Sequence, residues 1–167
     1  MIINLRELRR LDHAVERDGT LELPRVAKEN VQVEAIQPVH AHLSAQLAQG
    51  LCRVEGDLET TITYRCSRCL EAFDSPLTAA LDEVFSERET WDEDVHVVTG
   101  DEILIDPYIE QAINLTIEFR PLCKPDCQGL CPTCGTNQNH GSCGCEKRTV
   151  DPRLSILQDL LSNDNSL

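Results

Sequence analysis

Six of the nine cysteines lie between Cys123 and Cys145, a stretch of 23 residues, and another close pair, Cys66 and Cys69, stands upstream. The spacings are C-x2-C at Cys66/Cys69 and Cys131/Cys134, C-x3-C at Cys123/Cys127, and C-x-C at Cys143/Cys145. Each is short enough for both sulfurs to meet one ion. A structural zinc ion takes four thiolates in a tetrahedron with bonds of about 2.3 Å, and it contributes folding energy because the unfolded chain has no preformed cage. Eight cysteines in four pairs predict two structural zinc sites and leave Cys52 over. Cys52 stands where a strand pattern begins and reads as a small buried hydrophobe.

Four pairs can be combined into two sites in three ways. Proximity favours Cys131/Cys134 with Cys143/Cys145 as a local site. Cys66/Cys69 and Cys123/Cys127 then share the other, tying a sheet turn to a helix end. His140 is the substitute ligand if Cys143 or Cys145 points away. The Cys131-Pro-Thr-Cys134-Gly135 knuckle is also similar to half of a rubredoxin-type iron site, but the C-x-C half does not match, so zinc is expected. A disulfide framework is disfavoured by the odd cysteine count and by an N-terminus without an apolar signal region.

The elements that must position these thiols are legible in part. Residues 1 to 11 suit a strand or a helix, and Asp18-Gly19 signals a turn. Val31, Val33 and Ala35 alternate with polar residues, and so does the run from Val39 to Leu47. From Arg53 to Tyr64 the alternation is strict: Val54, Gly56, Leu58, Thr60, Ile62 and Tyr64 share one face of a long antiparallel strand. That strand runs into Cys66-Ser-Arg-Cys69, a tight turn whose backbone amides can point at the sulfurs. The return strand spans Phe73 to Phe85, with Leu77, Ala79 and Leu81 inward. Residues 82 to 94, with seven acids and one base, read as an exposed acidic connection, and Val95 to Val98 and Ile103 to Ile105 as further strands. Asp106-Pro107 then predicts an N-cap with proline at the first helical position, followed by Ile109, Ala112, Ile113, Thr116 and Ile117 on one helical face. Asp151-Pro152 repeats the helix-start signal ahead of Leu154, Leu157, Leu160 and Leu161.

The expected fold is α+β: an antiparallel sheet that could curl toward a barrel, a helix after it, and a cysteine-rich zinc-binding C-terminal segment. A single domain over 1–167 would comprise a β-rich part (1–105), a helix (106–120), a zinc-binding segment (121–150) and a C-terminal helix (151–162). Fifteen Lys and Arg against 29 Asp and Glu give a net charge of −14, and two zinc ions in eight thiolates take the metallated chain to about −18. Such a field repels nucleic acid as a whole and favours a basic protein partner. No run of about 18 apolar residues occurs, so no membrane span is expected and the protein is read as cytoplasmic.

The pattern Arg65-Cys-Ser-Arg-Cys-Leu70, Pro121-Leu-Cys123, Cys127-Gln-Gly-Leu-Cys-Pro-Thr-Cys-Gly135, Cys143-Gly-Cys145 and Asp151-Pro-Arg-Leu154 resembles the large ribosomal RNA subunit accumulation protein YceD family, over roughly residues 50 to 161. The resemblance implies a cytoplasmic, non-enzymatic factor in the synthesis, processing or stability of the large-subunit (23S) ribosomal RNA. It also implies that Cys66, Cys69 and one or both of Cys123 and Cys127 form the common site, the second being an addition. Two mechanisms follow. A zinc-organised face could bind ribosomal RNA or a pre-ribosomal particle through Arg65, Arg68, Lys124, Lys147, Arg148 and Arg153. Alternatively, the acidic body could act as a chaperone of a basic ribosomal protein, through the 82–94 segment and the outward carboxylates of the central strand. A redox role for Cys66-x-x-Cys69 is the weaker reading, since the turn lacks a βαβ setting and four-thiolate ligation would silence it. His40 and His42 share a strand face without a local carboxylate and read as exposed strand residues. No phosphate loop, nucleophile elbow or metal-hydrolase motif is present, and no small-molecule substrate is expected.

Overall fold

The computed structural model describes residues 1–11, 13–88 and 91–145. Strand β1 (Ile2–Asn4) leads into helix α1 (Leu5–Arg10), whose first turn is capped by Asn4: its side-chain oxygen accepts from the amides of Arg6 at 2.9 Å and Glu7 at 3.3 Å. There follow β2 (Val15–Leu21), α2 (Pro24–Glu29), β3 (Val33–Ile36), β4 (Val39–Ala48), β5 (Leu51–Arg65) and β6 (Ala72–Ser86). The described elements end with β7 (Val95–Val97), β8 (Glu102–Leu104) and α3 (Asp106–Thr116).

The β5–β6 hairpin is the spine, two 15-residue strands paired from Leu51 with Ser86 to Arg65 with Ala72. Alternation dictates it: Val54, Leu58, Thr60, Ile62 and Tyr64 are buried on β5, and Leu77, Ala79, Leu81 and Phe85 on β6. Along the other edge of β5 lie β4 and then β3, divided by Gln37-Pro38, since proline cannot donate to the ladder. Thr60, inward but polar, is satisfied at the break by donating its hydroxyl to the Gln37 carbonyl at 2.8 Å. Helices α1 and α3 cover the inner face, against β4 and β6 respectively. Ile105, Ile109 and Ile113 are fully buried in the common core, and Phe85 meets Tyr108 edge-on with ring centroids 5.0 Å apart.

The α+β class and the helix after the sheet are as expected, but the sheet is open, with order β2-β4-β5-β6-β7, and does not close into a barrel. Five features differ from the sequence reading. Asp18-Gly19 is no turn but part of β2; Gly19 fits there because the Met1 side chain lies over it, within 2.8 Å of where a Cβ would stand. Strand β7 pairs with β6 in parallel, and β8 leaves the main sheet to pair with β1. Asp106 is the first helical residue rather than the cap, which is Ile105, and its carboxylate pairs with the Met1 amine. Val31 is 95% exposed and precedes its strand. The acidic connection also begins later, after Ser86, because Asp82 and Glu83 belong to β6, where they bind Arg53 at 2.6 Å and His96 at 2.6 Å. The expected C-terminal helix over 151–162 lies outside the described residues.

Candidate metal centre

The β5–β6 turn and the segment after α3 meet through backbone hydrogen bonds. The Ser67 amide donates to the Pro121 carbonyl at 2.9 Å, and the Leu130 amide to the Arg68 carbonyl at 3.1 Å. Gly129 makes that approach possible: φ is +70° and a Cβ there would stand 3.1 Å from the Arg68 carbonyl oxygen. The result is a cluster of Cys66, Cys69, Cys123 and Cys127 whose sulfurs all lie within 4.8 Å of one another. Cys131, Cys134, Cys143 and Cys145 form a second cluster under the same limit. These are the groupings that proximity along the chain favours.

The donor sets fit a tetrahedral thiophilic ion. Bonds of about 2.3 Å place neighbouring sulfurs of a tetrahedron about 3.8 Å apart. Cys66 and Cys127 sulfurs are 3.8 Å apart, and those of Cys69 and Cys123 are 3.6 Å apart. The two C-x2-C pairs are built alike. Leu70 donates its amide to the Cys66 carbonyl at 3.0 Å and Gly135 to that of Cys131 at 2.9 Å, with left-handed φ of 62° and 74°. Leu70 holds a conformation that costs a side-chain-bearing residue about 1 kcal/mol or more, so the turn is imposed by its surroundings.

The electrostatics ask for a cation. Burial resists ionisation of Cys66, yet the backbone amides of Cys123, Cys69 and Arg68 aimed at its sulfur bring it down to about 6. Cys123, by contrast, is pushed up to about 12 by burial and by the neighbouring thiols of Cys69, Cys127 and Cys66. In the second cluster the Thr136 hydroxyl and amide lower Cys134 to about 6, while Cys134 and Cys143 raise Cys145 to about 12. The first thiolates form readily and the last are opposed by their neighbours' charge, an opposition that a divalent ion at the centre would reverse.

Side chains beyond the thiols join the clusters, and sequence reasoning missed them. The Asn139 carboxamide donates to the Cys127 sulfur at 3.3 Å and accepts from the Gln128 amide at 2.9 Å, so a loop of the second cluster supports a ligand of the first. Its sequence signal was an amide-rich Asn137-Gln-Asn139 run between two cysteine pairs. His140 pairs with Glu71 at 2.9 Å instead of substituting for a cysteine. Cys52 is buried in the core, 1% exposed, its thiol pushed up to about 11 by burial.

Of the basic residues singled out, Arg65 pairs with Glu34, and Arg68 donates to the Cys127 carbonyl at 2.9 Å. Lys124 is exposed beside the first cluster. Lys147, Arg148 and Arg153 lie outside the described residues. Among the described residues no helix is long and apolar enough to cross a membrane.

Comparison with known proteins yields relatives but no matching solved structure. The Bacillus subtilis protein YlbN, uncharacterised, is 30% identical over 154 residues, 90% of each chain. An uncharacterised Mycobacterium tuberculosis protein is 30% identical over 118 residues, 67% of this chain and 56% of its own. The chain thus spans just over half the length of its Mycobacterium bovis and Mycobacterium tuberculosis relatives. In Zea mays the chloroplastic large ribosomal RNA subunit accumulation protein YCED homolog 1 is 29% identical over 147 residues, 68% of this chain and 50% of its own. The family profile described as large ribosomal RNA subunit accumulation protein YceD matches residues 54–161, from the spine of the sheet through both cysteine clusters, and the chain belongs to that family.

Proposed function

We propose that this protein is a non-enzymatic factor supporting accumulation of the large-subunit (23S) ribosomal RNA in the cytoplasm, through its synthesis, processing or stability. It would act as a single domain stapled by two structural zinc ions. The observation that carries the reading is the family match across the segment that holds the thiols. The zinc ions would be held by Cys66, Cys69, Cys123 and Cys127, and by Cys131, Cys134, Cys143 and Cys145, where they neutralise thiolate charge and cross-link the chain.

Contact with the ribosomal RNA is proposed to run through protein: a basic ribosomal protein, or RNA already carrying such proteins in a pre-ribosomal particle. Charge supports this. The chain carries −14 before metal, and Arg65 and Arg68 are engaged by Glu34 and the Cys127 carbonyl. Outward Glu55, Asp57 and Glu59 on β5 leave a carboxylate row facing solvent. The competing reading is direct binding through Arg65, Arg68, Lys124, Lys147, Arg148 and Arg153. Six such residues would give a log–log salt slope of about −4 at most, at about −0.7 per single-strand phosphate neutralised.

A salt series on the metallated protein, against large-subunit RNA and against basic ribosomal proteins, separates the two. The protein-mediated reading expects tight binding to the basic protein and weak binding to naked RNA. Submicromolar binding of naked RNA in physiological salt, abolished by reversing Arg68, Lys124, Lys147 and Arg148 to Glu, would overturn it.

A further inference from the structure

The two thiol clusters are tied to each other by the loop between Cys134 and Cys143, both of which belong to the second. The Gln138 amide donates to the Gly129 carbonyl at 2.8 Å, and Asn137 forms an antiparallel bridge with Leu130, which lays the loop along the strip of chain just after Cys127. Asn139 there holds the Cys127 sulfur at 3.3 Å and the Gln128 amide at 2.9 Å. Its carboxamide is fixed in turn by Asn137, whose side-chain oxygen accepts from the Asn139 side chain at 2.8 Å and from its amide at 2.9 Å. On the opposite side of the first cluster His140 Nε2 donates to Glu71 at 2.9 Å. The other oxygen of Glu71 lies 3.8 Å from the Cys69 sulfur, and its carbonyl accepts the Cys66 amide at 2.9 Å. One loop of the second cluster thus reaches both halves of the first.

Little else holds that loop in place. Residues 135–142 read Gly-Thr-Asn-Gln-Asn-His-Gly-Ser, carry no apolar side chain to bury, and lie outside any helix or strand. Ordering such a stretch costs backbone entropy that a few hydrogen bonds do not offset alone, so its closure depends on Cys134 and Cys143 being drawn to one centre. The clusters also differ in exposure. Cys66, Cys69 and Cys127 are buried, whereas Cys134 is exposed and Cys143 and Cys145 are only partly covered. A competing chelator therefore meets the second cluster first.

We propose that the second cluster is a regulatory metal site for the first, with Asn139 as the positioning residue that couples them. Metal held by Cys131, Cys134, Cys143 and Cys145 closes the 135–142 loop onto Cys127 and Glu71; metal lost from this outer site frees the loop and loosens the hold of Cys66, Cys69, Cys123 and Cys127. The inference rests on the reading of both clusters as zinc sites. Asn139 carries most of the coupling because it bonds a ligand sulfur directly, while the His140–Glu71 pair is solvent-exposed and contributes little. Such coupling is reciprocal, so emptying either cluster forfeits the same interaction. Retention of metal at the β5–β6 turn thereby follows zinc supply at the exposed site.

The test is release of zinc from the full, metallated chain into excess chelator, followed with a zinc indicator dye. Two phases are expected, the fast one from the second cluster. The double variant Cys143→Ser/Cys145→Ser should retain one ion and lose it about tenfold faster than the slow phase of the unaltered chain, the usual scale for removing a residue that orients a ligand. Asn139→Ala, which keeps all eight cluster thiols, should speed the slow phase comparably and leave the fast phase unchanged. Added to the double variant, Asn139→Ala should bring no further acceleration, because the interaction is already lost. A slow phase that keeps its rate in the double variant, or an Asn139→Ala effect that persists in full when the second cluster is gone, overturns the coupling while leaving both zinc sites standing. Fewer than two zinc ions in the purified chain would instead overturn the two-site reading and the coupling with it.

Discussion

Cys66→Ser should destabilise the protein more than Cys143→Ser, and the difference can be worked from the topology. Each substitution removes one thiolate from a four-thiolate cluster. The first cluster joins Cys69 to Cys123, 54 residues away across β6, β7, β8 and α3, whereas the second joins Cys134 to Cys143, only 9 residues on. Cross-linking the unfolded chain saves loop-closure entropy as (3/2)RT ln n, so a sixfold ratio of loop lengths is worth about 1.6 kcal/mol at 25 °C. Cys66 is also fully buried and Cys143 only half-buried, so an orphaned serine adds its cost at position 66. Guanidinium unfolding of both variants at equal free zinc measures the gap, and thermal midpoints should differ by about 5 °C for a chain of this size. Equal losses, or a larger loss for Cys143→Ser, would refute the argument that the first site derives its greater worth from the long loop it closes.

Protein purified without added metal should carry two tightly bound zinc ions per chain by elemental analysis, and one ion, or iron, would contradict the assignment of two thiolate sites. Cys52→Ala should leave that content unchanged, because Cys52 sits in the hydrophobic core apart from both clusters. Gly56→Ala should be severely destabilising in a chemical melt, since its Cβ would stand 2.0 Å from the His42 carbonyl oxygen, a backbone atom that cannot step aside. Asn139→Ala should speed zinc loss to a competing chelator from the cluster containing Cys127 and leave the core's stability nearly unchanged; an unaltered release rate would mean that its bond to the Cys127 sulfur orients nothing. Acidification should release metal from both clusters before the sheet melts, because protons compete for the thiolates while the β5–β6 core holds no titrating group beyond Tyr64 and Cys52.

The sequence alone determined what is local. Strict alternation from Val54 to Tyr64 sets one face of β5, and cysteines two to four positions apart mark each half of a thiol cluster, because period and spacing are properties of a few consecutive residues. The helical face of Ile109 and Ile113 is legible for the same reason, although its start shifts by one residue when Asp106 takes the Met1 amine as its partner. Tertiary structure decided what depends on contacts between distant segments. Gly19 reads as a turn until Met1 covers it; the short β7 has no local mark of its parallel partner; and no property of His42 announces Asp18 and Asp57 on either side. Strand order and register come from burying a shared core, a sum of many weak contacts made by residues far apart in the chain, and that sum also brought the turn at Cys66 against the segment that follows α3.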